Sequence, residues 1–249
     1  MKSLISAIQF LTVFPLGLKT DEKDLGRSIP WFPIAGLCVG AVSALVYWAA
    51  NRLHLPPILS SALAVVSLAV LSGGLHLDGL ADGADGLFSH RSPDRILEIM
   101  KDSRIGTMGV LALVFAILIK WIALLSLAPE QAIPMLFLAP CASRAAMSVC
   151  LTLFPYARQD GLAKVFMRFR HPSDFVVPLL IAMVTGWFCL HINGIIIVFV
   201  PVMIGIAFSF YCKNKIGGIT GDTLGAVSEI GETVSFLAAI ILSSNSISF

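Results

Sequence analysis

Three carboxylates stand out by their spacing. Asp78, Asp82 and Asp85 recur at i, i+4 and i+7 in the stretch Gly73–Gly86. On a helix this spacing puts all three on one face. They follow directly on an apolar run, where an acid is costly: insertion scales put a central Asp at about 2.5–3.5 kcal/mol. A divalent cation would relieve both the mutual repulsion and the desolvation. Oxygen-only donors select hard ions, Mg2+, Mn2+ or Ca2+. A turn-and-cap cluster at a water interface is the plainer reading, since Asp and Gly are common turn residues. It accounts for one Asp-Gly pair but not for three acids in register.

A second acidic set comprises Asp222, Glu229 and Glu232, which again share a helical face. Acids within an apolar helix face a bundle interior or a cavity. These are candidates for a base acting on a hydroxyl, or for ligands of a second metal; snorkelling to a wet interface is the alternative for Glu229 and Glu232. Basic residues complete a phosphate-handling inventory. Lys101 and Arg104 follow the aspartates, and Arg158, Lys164, Arg168 and Arg170 form a later cluster. Arg grips phosphate with a fork of N–H donors, Lys as a point charge. Arg144 lies among Ala, Ser and Cys in an apolar run, which calls for a buried anionic partner or substrate. His76 reads equally as a structural or a catalytic histidine.

The elements that must position these groups are membrane helices. Of the 249 residues, 57% are hydrophobic and 13% charged, whereas a soluble domain averages about 25% charged. Mean hydropathy is +0.89. The expected architecture is all-α: one membrane-embedded domain over residues 1–249, a polytopic bundle of about seven spans with polar inner loops. The spans are expected at Trp31–Ala50, Pro57–Leu75, Gly106–Leu127, Ile133–Phe154, Phe175–His191, Gly194–Cys212 and Gly221–Leu242. The first 18 residues lack an A-x-A-like cleavage site and read as a retained interfacial or re-entrant segment. Lys and Arg gather on the cytoplasmic side of membrane proteins. With the N-terminus inside, most of the 17 basic residues fall in inner loops, the outer loops hold only Arg52, and Ser243–Phe249 lie outside. The polar segments 76–105, 155–173 and 213–232 then share one side. The five cysteines form no CxxC pair and read as small buried residues rather than a disulfide or zinc framework. A net charge of +2 gives no argument for nucleic acid.

GGLHLDGLADGADGLFSHRSPDRILEIMKDSRIGTMG (73–109) resembles the signature of the cobalamin synthase family, the adenosylcobinamide-GDP ribazoletransferases. AIQFLTVFP (7–15), RSIPWFPIAGLCVG (27–40) and GGITGDTLGAVSEIGE (217–232) resemble it in the same order, and YARQDGLA (156–163) more weakly. The family often has Asp-Thr-(Ala/Cys)-Asp-Gly where this chain has Asp82, Gly83, Ala84, Asp85 and Gly86; the acids are kept. The resemblance implies a Mg2+-dependent enzyme of the bacterial cytoplasmic (inner) membrane, with membrane lipid around it and its active site facing the cytoplasm. Its substrates would be adenosylcobinamide-GDP and α-ribazole or α-ribazole 5′-phosphate, and its products adenosylcobalamin (or its 5′-phosphate) and GMP. It further implies Mg2+ on Asp78, Asp82 and Asp85, phosphate contacts from Lys101, Arg104, Arg144 and Arg158, and catalytic roles for Asp222, Glu229, Glu232 and His76. A homo-oligomer stays open. Two other readings remain at this point. A CDP-alcohol phosphotransferase shares Asp82, Asp85 and Gly86, but Ser89 and His90 stand where that family has Ala-Arg, and its distal aspartates are missing. A cation transporter would use the intramembrane acids without needing the basic inner loops.

Overall fold

The computed structural model describes residues 1–161 and 163–245, so Leu162 of the 156–163 motif and the last four residues of the expected outer C-terminus lie outside the described residues. Among the described residues eleven α-helices follow one another, with one short 3-10 turn at Ile29–Trp31. They are α1 (Lys2–Leu11), α2 (Glu22–Gly26), α3 (Phe32–Arg52), α4 (Pro57–Leu71), α5 (Leu75–Leu87), α6 (Pro93–Ile99), α7 (Thr107–Ser126), α8 (Pro129–Leu153), α9 (Ala163–Phe169), α10 (Val176–Ile216) and α11 (Gly221–Asn245). Among the described residues no strand forms; a single parallel bridge joins Tyr156 and Ile219.

Five helices are long and apolar enough to cross a membrane, and α4 with α5 makes a sixth candidate if that bent pair is one span. The 41-residue α10 is not straight. Leu190 and His191 leave helical φ/ψ, and a Cβ built on Gly186 would lie 2.6 Å from the Gly194 carbonyl oxygen. Residues eight apart in a straight helix are about 12 Å apart along its axis, so α10 is a hairpin of two arms turning at Leu190–His191. With α10 counted as two arms and α4–α5 as one bent span, the candidate spans among the described residues number seven, as the apolar runs predict. At ten residues, α1 is about 15 Å long, half the hydrocarbon thickness.

The bundle is built around α8, which packs on α3, α10 and α11. Its middle is a run of small residues, Ala139, Cys141, Ala142, Ser143, Ala145 and Ala146, all buried. Small side chains let membrane helices approach closely where no hydrophobic effect drives them together.

The expected span Pro57–Leu75 is cut short. Helix α4 stops at Leu71, and Gly73 and Gly74 take φ of +63° and +71°, a left-handed conformation that a side chain disfavours. The chain bends by 85° there into α5, carrying Asp78, Asp82 and Asp85 away from the α4 axis. Helix α5 lies against α11 and α7. Its crossing with α11 is backbone on backbone: a Cβ on Gly79 would sit 2.8 Å from the Asp222 carbonyl oxygen and 3.1 Å from the Gly225 Cα. Gly79→Ala is expected to push α5 off α11 and lower turnover at least tenfold, with the fold retained. Circular dichroism and steady-state kinetics check this; an unchanged rate would mean the crossing does not set the site.

Candidate active site

Two loops place the second acidic set beside the first. Ala157 N–H donates to the Ile219 carbonyl and Ile219 N–H to the Pro155 carbonyl, both at 2.8 Å. This bridge lashes the α8–α9 loop to the entry of α11. Thr220 caps that helix: its hydroxyl accepts from Thr223 N–H (3.1 Å), while the Thr223 hydroxyl accepts from Thr220 N–H (2.8 Å). Two otherwise unpaired donors are thereby satisfied. Asp222 follows in the first turn, and Arg158, delivered by the bridged loop, donates to its Oδ2 at 2.6 Å.

Asp78 is the wall between two hollows. One is a narrower, more enclosed cavity of about 200 Å³ that it shares with His76, Arg158 and Asp222. The other is a wider, more open basin of about 750 Å³ that it shares with Asp82 and Lys101. Asp82 lies within electrostatic range of Asp78, Asp85, Asp222 and Arg158. The aspartates of α5 and the Asp222 end of α11 therefore form one acidic rim.

The three α5 aspartates do not converge. Seven residues of helix span about 10 Å along the axis, so a shared face does not make a shared point. Among the described residues no three His, Cys, Asp or Glu side chains meet as a metal cage. Asp85 is engaged elsewhere, since its carboxylate accepts from Gly106 N–H (2.6 Å) and Gly109 N–H (2.8 Å). It caps the N-terminus of α7 from a neighbouring helix, where a negative charge also suits the helix dipole. Asp85→Ala should cost about 1–2 kcal/mol, the scale of a lost N-cap, and lower the unfolding midpoint while leaving any metal requirement of the reaction unchanged. A raised metal requirement would return Asp85 to the ligand set.

Glu229 and Glu232 lie deeper, and both are neutralised by buried cations. Lys120 Nζ stands 2.5 Å from Glu229 Oε2 and 3.0 Å from Glu232 Oε2. Arg144 pairs with the other Glu232 oxygen, and its second guanidinium nitrogen is 3.1 Å from His76 Nδ1. All five side chains are buried. Arg144 thus has a protein anion for its partner, the first of the two alternatives its place in the sequence called for, rather than the substrate phosphate. Glu229 and Glu232 hold cations, in place of the hydroxyl or second metal expected for them. Sequence reasoning left Lys120 without a role. Its signal was present: a lone cation inside the 20-residue apolar helix α7.

Of the other expected phosphate ligands, Lys101 lines the basin beside Asp78 and Asp82 and also a shallower hollow with Arg158. Arg104 lines neither; it is exposed and paired with Asp102 at 2.7 Å. Its hydrogen bonds hold the Asp102 carboxyl down to about 2.

The chemistry of this arrangement has known relatives. Residues 3–240 match the family model described as cobalamin-5-phosphate synthase. Among curated proteins, the adenosylcobinamide-GDP ribazoletransferase of Roseiflexus sp. is 40% identical over 95% of this chain and 88% of its own. That of Desulforamulus reducens is 38% identical over 93% of both chains, and that of Clostridium novyi 35% identical over 96% of this chain and 97% of its own. No solved structure matches. With the family model covering residues 3–240 and these relatives aligned over nearly their whole lengths, the chain belongs to the cobalamin-5-phosphate synthase family.

Proposed function

We propose that this protein transfers the adenosylcobinamide phosphate group of adenosylcobinamide-GDP to the ribose hydroxyl of α-ribazole, or of its 5′-phosphate. The reaction releases GMP and forms adenosylcobalamin or its 5′-phosphate, in the closing steps of cobalamin biosynthesis. The observation that carries the reading is the position of Asp78 on the wall between an open, polar basin and a more enclosed cavity. A diphosphate on one side and a hydroxyl on the other meet there.

The donor set suits Mg2+. Asp78 and Asp82 offer carboxylate oxygens to the basin, and Mg2+ is typically held by one or two carboxylates plus substrate phosphates rather than by an all-protein cage. Asp85 is outside this set because it caps α7 and does not line the basin. When bound, the ion would offset the charge that builds on the transferring phosphoryl group. The protein's own residues do the rest, mainly by positioning and charge. Lys101 faces the phosphate of the departing GMP from the basin wall. Arg158 holds Asp222 at the cavity rim, and Asp222 takes the proton of the attacking hydroxyl. The hydroxyl oxygen bonds to the cobinamide-bearing phosphorus, and the bond from that phosphorus to the bridging oxygen breaks in favour of GMP.

The rival readings lose ground on specific residues. Intramembrane acids saturated by Lys120 and Arg144 do not line an ion path. Ser89 and His90 depart from the phospholipid-synthase pattern. Purified protein in liposomes, given adenosylcobinamide-GDP and ribazole, should release GMP in step with a cobamide product of the expected mass. Chelation should stop the reaction and Mg2+ restore it. CMP formed from a CDP-alcohol would instead mark lipid synthesis, and no nucleotide release would mark transport.

The reading also requires the rim to face the cytoplasm of a bacterial inner membrane, where nucleotide substrates are made. Ser92, exposed in the α5–α6 loop, is the reporter. In a cysteine-free background, Ser92→Cys should be labelled by impermeant maleimide only after the cytoplasmic side is opened. Labelling of intact cells from outside would invert the topology.

A further inference from the structure

The more enclosed cavity beside the acidic rim holds an observation that the transfer reaction alone does not use. His76 is 1% exposed and lines that cavity. Its Nδ1 faces an Arg144 nitrogen at 3.1 Å. Arginine can only donate, so Nδ1 accepts and the ring proton sits on Nε2. That buried Nε2 has no hydrogen-bond partner among the described residues. A buried N–H without an acceptor is costly and uncommon. Here the donor is also held in place, because Arg144 is itself fixed by Glu232 and Glu232 by Lys120.

Asp78, Arg158 and Asp222 form the polar side of the cavity, and its remaining lining is mainly apolar. Phe10, Phe32, Met147, Leu151 and Phe166 line it. Phe166 packs on Phe32 at 5.5 Å, edge to face, and on Phe10 at 5.3 Å, so the walls are braced. The nearby Arg158, on the same lining, leaves its buried Nε–H unpartnered as well among the described residues.

We infer that this cavity seats the aromatic base of the acceptor, with His76 Nε2–H donating to the base's free ring nitrogen. The inference rests on the ribazoletransferase reading. The base of ribazole is a fused, flat, apolar bicycle with two ring nitrogens. One carries the ribose, and the other is a bare acceptor. A cavity with an apolar, partly aromatic wall, an unpartnered His76 Nε2–H at its back and the charged groups at its rim is its complement. The other substrate parts do not fit: guanine displays several donors and acceptors, and a corrin macrocycle is too large for about 200 Å³. With the base so placed, the ribose emerges at the rim formed by Asp78, Arg158 and Asp222. His76 is then a specificity residue, and the charged network behind it is a positioning device.

The test compares two acceptors, ribazole and an analogue in which the free ring nitrogen is replaced by C–H. Wild-type protein in liposomes should prefer ribazole by about 10- to 100-fold in kcat/KM, the scale of leaving a buried donor unpaired. His76→Phe should shrink this preference to within threefold, mainly through loss with ribazole, and His76→Gln, which keeps an N–H, should restore part of it. A second variant probes the cavity without touching the network. Ala163→Leu, on the cavity lining, should raise the KM for ribazole at least tenfold and leave the KM for adenosylcobinamide-GDP unchanged. A folded His76→Phe protein that keeps the full preference would overturn the inference. If His76→Phe does not fold, an unchanged ribazole KM in Ala163→Leu would overturn it. Both results leave the transferase reading intact. Wild-type protein that releases no GMP would remove that reading and the subsite with it.

Discussion

Asp82→Asn is expected to lower GMP release by roughly two to three orders of magnitude, the scale on which loss of one preorganised electrostatic contact slows a reaction. The argument is positional. Asp82 lines the basin with Asp78 and Lys101, and among the described residues no hydrogen bond of its side chain ties it into the fold. Asn keeps the shape and removes the charge that would hold Mg2+ against the diphosphate. Asp78→Asn should act in the same direction, since Asp78 borders both hollows. The protein should stay folded in both, because an acidic rim is relieved of repulsion when one charge is lost. Steady-state GMP release against Mg2+, with thermal unfolding as the control, checks this. An Asp82→Asn protein within threefold of wild type would end its assignment as a ligand.

Lys120→Met carries the largest expected effect on stability. Removing one partner from a buried ion pair leaves an uncompensated charge and costs about 3–5 kcal/mol. Lys120 serves two carboxylates, and among the described residues Glu232 alone of these has a second direct ion pair, with Arg144. Glu229 would keep only the more distant charge of Arg144. The double variant Lys120→Met with Glu229→Met should recover most of the loss, because replacing a buried pair with apolar side chains of similar volume is often near neutral. Unfolding midpoints in lipid nanodiscs read both effects. A single variant as stable as wild type would mean the pair contributes nothing, and a double variant no better than the single would place the defect elsewhere.

The fates of these residues show how far the sequence could be read. The spans were legible because apolar runs are local signals; even the turn in α10 falls between the two spans expected at Phe175–His191 and Gly194–Cys212. The acidic rim was half legible. The spacing of Asp78, Asp82 and Asp85 correctly puts them on one helix, α5, but periodicity gives direction and not distance. It could not show that Asp85 would spend its oxygens on Gly106 and Gly109. Asp222 does reach the rim as the second acidic set suggested, through a glycine crossing and a loop bridge that no single segment encodes. Glu229 and Glu232 were read as acids facing a bundle interior or a cavity. Their partners come from α7 and α8, 109 and 88 residues away for the closest contacts, and such long-range pairing leaves no mark in local pattern. The cavity that holds His76 was invisible for the same reason: its walls come from α1, α3, α5, α8, α9, α11 and the α8–α9 loop.

The central claim is that one site brings the acceptor hydroxyl to the cobinamide-bearing phosphorus. An oxygen-isotope experiment tests it most directly. Ribazole carrying ¹⁸O in its attacking hydroxyl is turned over with adenosylcobinamide-GDP, and both products are analysed by mass spectrometry. Direct attack predicts that the label stays in the new carbon–oxygen–phosphorus bridge of the cobamide and that the GMP is unlabelled. Label found in GMP, or GMP formed at the same rate without ribazole, would contradict the account.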